Sequence, residues 1–427
     1  MRILCRLGLV TPTAGSLSQH GPRANTDEPP EWQASRKQIP VTVGDDEPTR
    51  ECDACHSRVP AGAFCGSCGA DLRTAVTRRQ RLIRPDVFVA APTQPINLPD
   101  ITSTLCPHLA DADRIPFRHG IFIALAALVA ASMLKLLAVL VVLVCLGIPL
   151  LFGLYLWRSD IFRDIPARAM LLAPLIGVAL AVTWWVWTGS RLADSYDIPV
   201  SAGFQLRNVV NMGLAVNATD SLLMLVPAVL VRLLRLPSVE SLDGFVIGAF
   251  GALAYTTGSG VTWLATQFTA GLLDNYDSGR LLSQAALYGI FDPLTAAAAG
   301  GMMGLLLWFR PARRAGQPPR LRVMLAICAV LGACYYTALY TMDAVNNPRW
   351  LESTISLMIT VLALLTLRFA MQVAVLHELP DDSTTRRVRC IHCRGIVPDM
   401  PFCSRCGAAA RASSRSARRL RLDPAVG

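Results

Sequence analysis

The chain has 427 residues, of which 53% are apolar and only 16% charged, with a formal net charge of +10. That balance lies on the membrane side of globular usage and argues against a simple soluble domain. The positive charge does not by itself point to nucleic acid, because basic residues outside the helices are what orients a membrane protein.

Residues 1–50 are rich in Pro, Ser, Thr, Gly and Asp and show no helical or strand periodicity, which predicts a disordered arm. The apolar run within Met1–Val10 is too short for a secretory signal, so the N-terminus is expected to stay in the cytoplasm. Next comes a cysteine module over 51–72, with Cys52, Cys55, Cys65 and Cys68 spaced C-x2-C-x9-C-x2-C. A linker over 73–118 leads to the apolar region.

From 119 to 377, apolar segments alternate with short polar loops. The first, Ile121–Trp157, has Lys135 as its only charge and is long enough for two short crossings with Lys135 at the turn. Further segments lie near Met170–Trp187, Val209–Val231, Phe245–Phe268, Ala285–Phe309, Val323–Tyr340 and Thr354–Leu376. Each can span a hydrocarbon core of about 30 Å, and only helices satisfy their own backbone there. Read as a hairpin plus six, the region has about eight transmembrane helices. The fold expected is an all-α polytopic membrane protein.

Charge supports the even number. One set of loops carries Arg158, Arg163, Arg168, Arg232, Arg235, Arg310, Arg313, Arg314, Arg320 and Arg322; the other carries Lys135, Arg191, Arg207, Arg280 and Arg349. The bias predicts a multi-pass cell-membrane protein with both termini cytoplasmic.

The middle crossings are unusually polar. Gly213, Asn217, Asp220, Ser221 and Met224 share one helix face, as do Tyr255, Ser259, Thr262 and Thr266 on the next. On a third face lie Gln284, Tyr288, Asp292 and Thr295, with Pro293 able to kink the helix. The pairs Gly244/Gly248 and Gly300/Gly304 permit close helix contact. Asp220 and Asp292 are the only catalytic candidates, since an intramembrane carboxyl costs about 2.5–3.5 kcal/mol and is a functional hypothesis by default. They are expected to be mostly protonated and bonded to neighbours such as Asn217, Tyr255 or Thr295. The plain alternative is that these groups lock the bundle by hydrogen bonds.

A second cysteine module occupies 388–410. Cys390, Cys393, Cys403 and Cys406 repeat the first spacing, and Val59-Pro60, Phe64 and Gly69-Ala70 recur as Val397-Pro398, Phe402 and Gly407-Ala408. Two CxxC turns present four sulfurs that can close tetrahedrally on one ion. Disulfides would suit an extracellular module, whereas the arginine-rich flanks place both ends inside, where thiols stay reduced. The modules resemble small zinc ribbons. The resemblance implies two zinc ions, one per ribbon, with the Pro and Phe packing each miniature core and the metal supplying most of its stability. With the whole bundle between them in sequence, the ribbons are expected to be separate units. The basic tail over 411–427 could touch RNA or anionic lipid, but no aromatic platform accompanies it and nucleic acid is not favoured.

The Asp243–Gly248 stretch, opening a glycine-rich helix, resembles the core of the PrsW-like intramembrane proteases. That family places a glutamate pair on the preceding helix, a glutamate later in the same helix and a histidine on a following one. Here Thr219-Asp220, Ser259 and Pro293–Ala296 stand at those places, and His20, His56, His108, His119, His377 and His392 all lie outside the helices or at their ends. The resemblance therefore implies an inactive relative. The expected function is a non-catalytic scaffold or sensor in the lipid bilayer whose ribbons dock a cytoplasmic protein partner. The alternatives are an intramembrane protease, on the PrsW-like scaffold or aspartate-dependent, or a proton-linked transporter.

Overall fold

The computed structural model describes residues 48–53, 56–67, 69–73, 105–106, 111–159, 161–195, 215–234, 240–269, 278–311, 318–343, 349–378, 387–390, 395–398, 400 and 402–407. Residues 1–47 of the N-terminal arm, most of the linker and the basic tail lie outside them; the last residues expected in the arm, 48–50, are instead ordered at the start of the first strand.

The protein is an all-α polytopic membrane protein. Helix α1 (Asp111–Met133) begins ahead of the boundary expected at 119, and α2 (Leu137–Arg158) follows it after a tight turn. Lys135 sits in that turn with φ 52°, a left-handed conformation that stops the helix and reverses the chain. The long apolar block is thus two helices joined at Lys135, as its length and single charge predict, and α2 is the one long and apolar enough by itself to be a candidate span. Then come α3 (Ala167–Ser195), α4 (Val216–Leu233) and α5 (Ser241–Thr269). The next crossing is composite: α6 (Ser278–Ala286), a π-helical turn (Leu287–Phe291) and α7 (Asp292–Trp308). Helices α8 (Pro318–Asp343) and α9 (Arg349–His377) complete the bundle. Among the described residues seven stretches are long and apolar enough to cross a membrane, and the apolar part of α1, Phe117–Met133, falls short of that length.

Helices α5 and α7 form the centre. The α5 crossing is 78% buried and the α6–α7 crossing 72%, against 22–39% for the other five candidate spans. The glycines explain how two backbones approach so closely. Gly244 lies against Gly304 and Gly248 against Gly300, so carbonyls of one helix touch the other where a side chain would intervene. Lipid tails are as apolar as leucine, so this van der Waals packing, rather than escape from water, drives the association. Gly177 of α3 similarly meets Gly251 of α5. Around this centre the outer surfaces stay apolar: Phe122, Leu150, Leu175, Leu222, Val330 and Met358 are exposed, as lipid-facing residues should be. Trp157, near the end of α2, and Trp350, near the start of α9, are exposed, as the interfacial tryptophans of membrane helices commonly are.

Contacts at the helix ends define one face. The Arg232 Nε–H donates to the Leu307 carbonyl (3.0 Å), and its guanidinium lies over the Trp308 ring. The Ser241 N–H, at the start of α5, donates to Glu378 Oε1 (2.9 Å), and Pro311 forms a backbone bridge with Glu378. The ends of α4, α7 and α9 and the start of α5 therefore lie together. By alternation the start of α1 and the end of α2 are on that face too, and Arg158, Arg310 and Arg320 belong to it.

Two small hairpins flank the bundle in sequence. Strands β1 (Thr49–Glu51) and β2 (Arg58–Pro60) pair antiparallel, as do β3 (Arg387–Arg389) and β4 (Ile396–Pro398). The register is the same in both: Arg50 faces Val59, and Val388 faces Val397. The sequence repeat is a structural repeat.

Candidate metal centre and buried acid cluster

Each hairpin presents its first cysteine at the strand end. The Cys52 N–H donates to the Ser57 carbonyl (3.1 Å) and the Cys390 N–H to Gly395 (2.9 Å). The second knuckle closes by Gly69 N–H to the Cys65 carbonyl (2.7 Å) and Gly407 N–H to Cys403 (2.8 Å). Both glycines have positive φ, 71° and 74°, which is why glycine follows the last cysteine of each module.

In the C-terminal module the sulfurs of Cys390, Cys403 and Cys406 all lie within 4.8 Å of one another, and Cys390 Sγ is 3.7 Å from Cys406 Sγ. Thiolates at about 2.3 Å from one tetrahedral ion sit roughly 3.8 Å apart, so the spacing matches a metal site. It is far from the roughly 2.05 Å of a disulfide. These three cysteines could hold a metal ion. Cys393, the fourth expected ligand, lies outside the described residues, as do Cys55 and Cys68. Cys52 and Cys65 are both fully buried in the N-terminal module. Cys106, Cys145 and Cys328, which fit no motif, are buried among apolar side chains of the bundle.

The expectation that the modules are separate units is overturned. The Phe64 N–H donates to the Ser404 carbonyl and the Phe402 N–H to the Gly66 carbonyl, both at 2.9 Å. These are equivalent positions of the repeat, so the two ribbons pair about a local two-fold. Phe64 packs on Gly407 and Phe402 on Gly69, so each ring covers the other module's knuckle rather than serving only its own core.

Within the bundle, Asp220 and Asp292 are buried, at 2% and 3% exposure. The Tyr255 O–H donates to Asp220 Oδ1 (2.5 Å), joining α4 to α5. The Tyr340 O–H donates to Asp292 Oδ2 (2.8 Å), joining α7 to α8, and the Tyr336 O–H donates to Tyr340 Oη (3.4 Å). The Tyr336 and Tyr340 rings pack together with centroids 5.0 Å apart. Even so, Asp292 Oδ1 has no partner at hydrogen-bond geometry among the described residues. Asp292 stands where the π turn ends and just before Pro293, whose ring and missing N–H disfavour a plain α-helical ladder. The cleft lined by Leu287, Tyr288, Asp292, Leu339 and Tyr340 leaves no room for a water molecule.

Of the rest of the expected polar seam, Tyr288 lines the Asp292 cleft, while two members bridge helices through other hydroxyls. Thr295 pairs with Thr360 (3.1 Å), and Ser221 with Thr337 (2.7 Å). The Asn217 carbonyl accepts from Ser221, and Ser259 donates to the Thr256 carbonyl within its own helix. The partner expected at Tyr255 is present, whereas those expected at Asn217 and Thr295 are replaced by Tyr340. Sequence reasoning passed over Tyr336 and Tyr340, although the cluster Tyr335, Tyr336, Thr337 and Tyr340 within one apolar crossing was the available signal. Gly213 and the side chain of Thr266 lie outside the described residues. Of the positions compared with the PrsW-like proteases, Asp220, Ser259 and Thr295 are buried in the core, and among the described residues the only metal-ligating cluster is the cysteine one. No protein family, curated protein or solved structure matches the chain.

Proposed function

We propose that this chain is a membrane-anchored scaffold or sensor whose two cysteine modules each hold one structural zinc ion and together form a cytoplasmic head that docks a protein partner. The observation that carries the reading is the pairing of the modules, with a tetrahedral sulfur spacing in one of them. Four thiolates would complete each ion's coordination and leave no open position for a catalytic water. The zinc would fix the knuckles, which are too small to be held by apolar burial. The cytoplasmic orientation rests on the arginines of the shared face and on the need for reduced thiols. The purified full-length protein should carry two zinc ions and no iron by elemental analysis. Impermeant thiol reagents should reach reporter cysteines at both ends only after the membrane is opened. A metal-free protein, or ends that differ in accessibility, overturns the reading. Docking is tested by capture on the full-length protein in detergent: a partner retained equally when all the cysteine ligands are serine does not bind the metal-held head.

A second reading, favoured by the unpartnered Asp292 Oδ1, is that the acids work as an aspartate-dependent intramembrane protease or a proton carrier. It stands second because each acid is held by its own tyrosine, and because a hydrolytic pair needs a water for which the cleft at Asp292 has no space. On the PrsW-like resemblance, the bundle would be a relative of that scaffold without its chemistry. Asp292→Asn in protein that still inserts separates the readings: scaffold binding survives the change, and proton transfer or turnover does not.

A further inference from the structure

We infer that the two ribbons are one metal-dependent clasp, in which each ribbon is the other's binding partner and loss of metal from either loosens both. The inference rests on the zinc reading above and adds a coupling that the reading does not require.

The contacts come in equivalent pairs, as a two-fold interface demands. The reciprocal hydrogen bonds Phe64 to Ser404 and Phe402 to Gly66 bracket Cys65 and Cys403, a ligand position in each module. A Cβ placed on Gly69 would lie 2.9 Å from Cδ1 of Phe402, and one on Gly407 would lie 2.8 Å from Cδ1 of Phe64. The two glycines therefore serve as the turn of their own knuckle and as the floor under the other ribbon's ring. Gly62 packs against Ser404, and Met400, at the position equivalent to Gly62, lies over Gly66. Phe402 is only 1% exposed. The Phe64 ring carries the Arg73 guanidinium on it (5.2 Å to the centroid), and Asp71 accepts from both the Arg73 N–H (2.8 Å) and its Nε–H (3.2 Å).

The physical consequence follows from size. A module of about twenty residues has almost no apolar interior of its own, so the ring covering its last knuckle is a large part of what it has. Here that ring belongs to the other module. Removing metal from one ribbon frees its Cys-x-x-Cys knuckle, displaces its phenylalanine and uncovers the second ribbon's knuckle. Metal binding at the two centres is then linked, each favouring the other through the shared interface.

The test uses the full-length protein in detergent, with bundle integrity followed by gel filtration and helical circular dichroism. Phe402→Ala removes a ring that is not a ligand. During chelator-driven zinc removal, alkylation of Cys52 and Cys65 in the other ribbon should accelerate at least about tenfold, equivalent to about 1.4 kcal/mol of lost protection. Phe402→Leu, which keeps most of the volume, should retain most of that protection. Cys403→Ser with Cys406→Ser should leave less than one zinc per chain. The clasp is refuted if Phe402→Ala exposes only Cys390 and Cys403, or if the double serine variant keeps one full zinc with Cys52 and Cys65 protected. Either result leaves the zinc reading standing. A wild-type protein without zinc removes both.

Discussion

Replacing Gly244 by alanine would place a methyl carbon 2.5 Å from the Gly304 carbonyl oxygen and 2.8 Å from Trp308 Cβ. Carbon and carbonyl oxygen rest at about 3.3 Å or more, so α5 and α7 must separate by roughly 0.8 Å at this point. The obstacle is backbone, which cannot rotate aside as a side chain can. Two terms compete. Alanine is a better helix former than glycine by about 1 kcal/mol, whereas overpacking a tight site costs about 1–3 kcal/mol. The lost contacts fall on the most buried helix pair, so the upper part of that range applies and the net cost should be about 2 kcal/mol. Gly153 is the internal control, because nothing lies within 4 Å of a Cβ built on it. Gly153→Ala has the same chemistry without the clash and should be neutral or stabilising by up to about 1 kcal/mol. Denaturation in mixed micelles, followed by helical circular dichroism, compares the two. Equal stability of the two variants would refute the claim that glycine is required at the α5–α7 crossing.

Lys135 offers a second backbone test. With φ 52°, Lys135→Gly should be neutral or stabilising by up to about 1 kcal/mol, whereas Lys135→Val should weaken the hairpin by about 1–2 kcal/mol; thermal unfolding that ranks valine above glycine contradicts the assigned turn. At the acids, Tyr255→Phe removes the donor to a buried carboxyl and should cost about 1–3 kcal/mol, while Asp220→Asn keeps an acceptor for the Tyr255 O–H and should cost less. Reversal of that order in the same denaturation assay would count against the Tyr255–Asp220 bond.

Features written in local spacing were legible in the sequence. A lone lysine midway through a block too long for one helix marked the turn, and glycines four apart marked the faces where α5 and α7 meet. Repeated cysteines with the same flanking Pro, Phe and Gly identified two copies of one module. Contacts between distant positions were not legible. Phe64 and Phe402 look alike whether they fill their own cores or each other's, and only the even number of crossings hints that the modules can meet. Asp292 was visible as a buried acid, but its partner Tyr340 lies on a helix whose apolar composition drew no attention. The π turn left only Gly289 and Pro293 as traces, neither specific to it.

The pairing of the ribbons also sets an order of events during synthesis. The N-terminal module leaves the ribosome first, yet the ring that covers Gly69 arrives with Phe402, roughly 330 residues later. At about 5–20 residues per second, that is a wait of roughly 20–70 s, during which all the intervening helices must enter the membrane. A helix inserted with the wrong orientation would leave the last ribbon across the bilayer from the first, and the head could not close. Closure of the pair therefore requires only that both ends finish on the same side of the membrane, and it can come only after the last helix has been made.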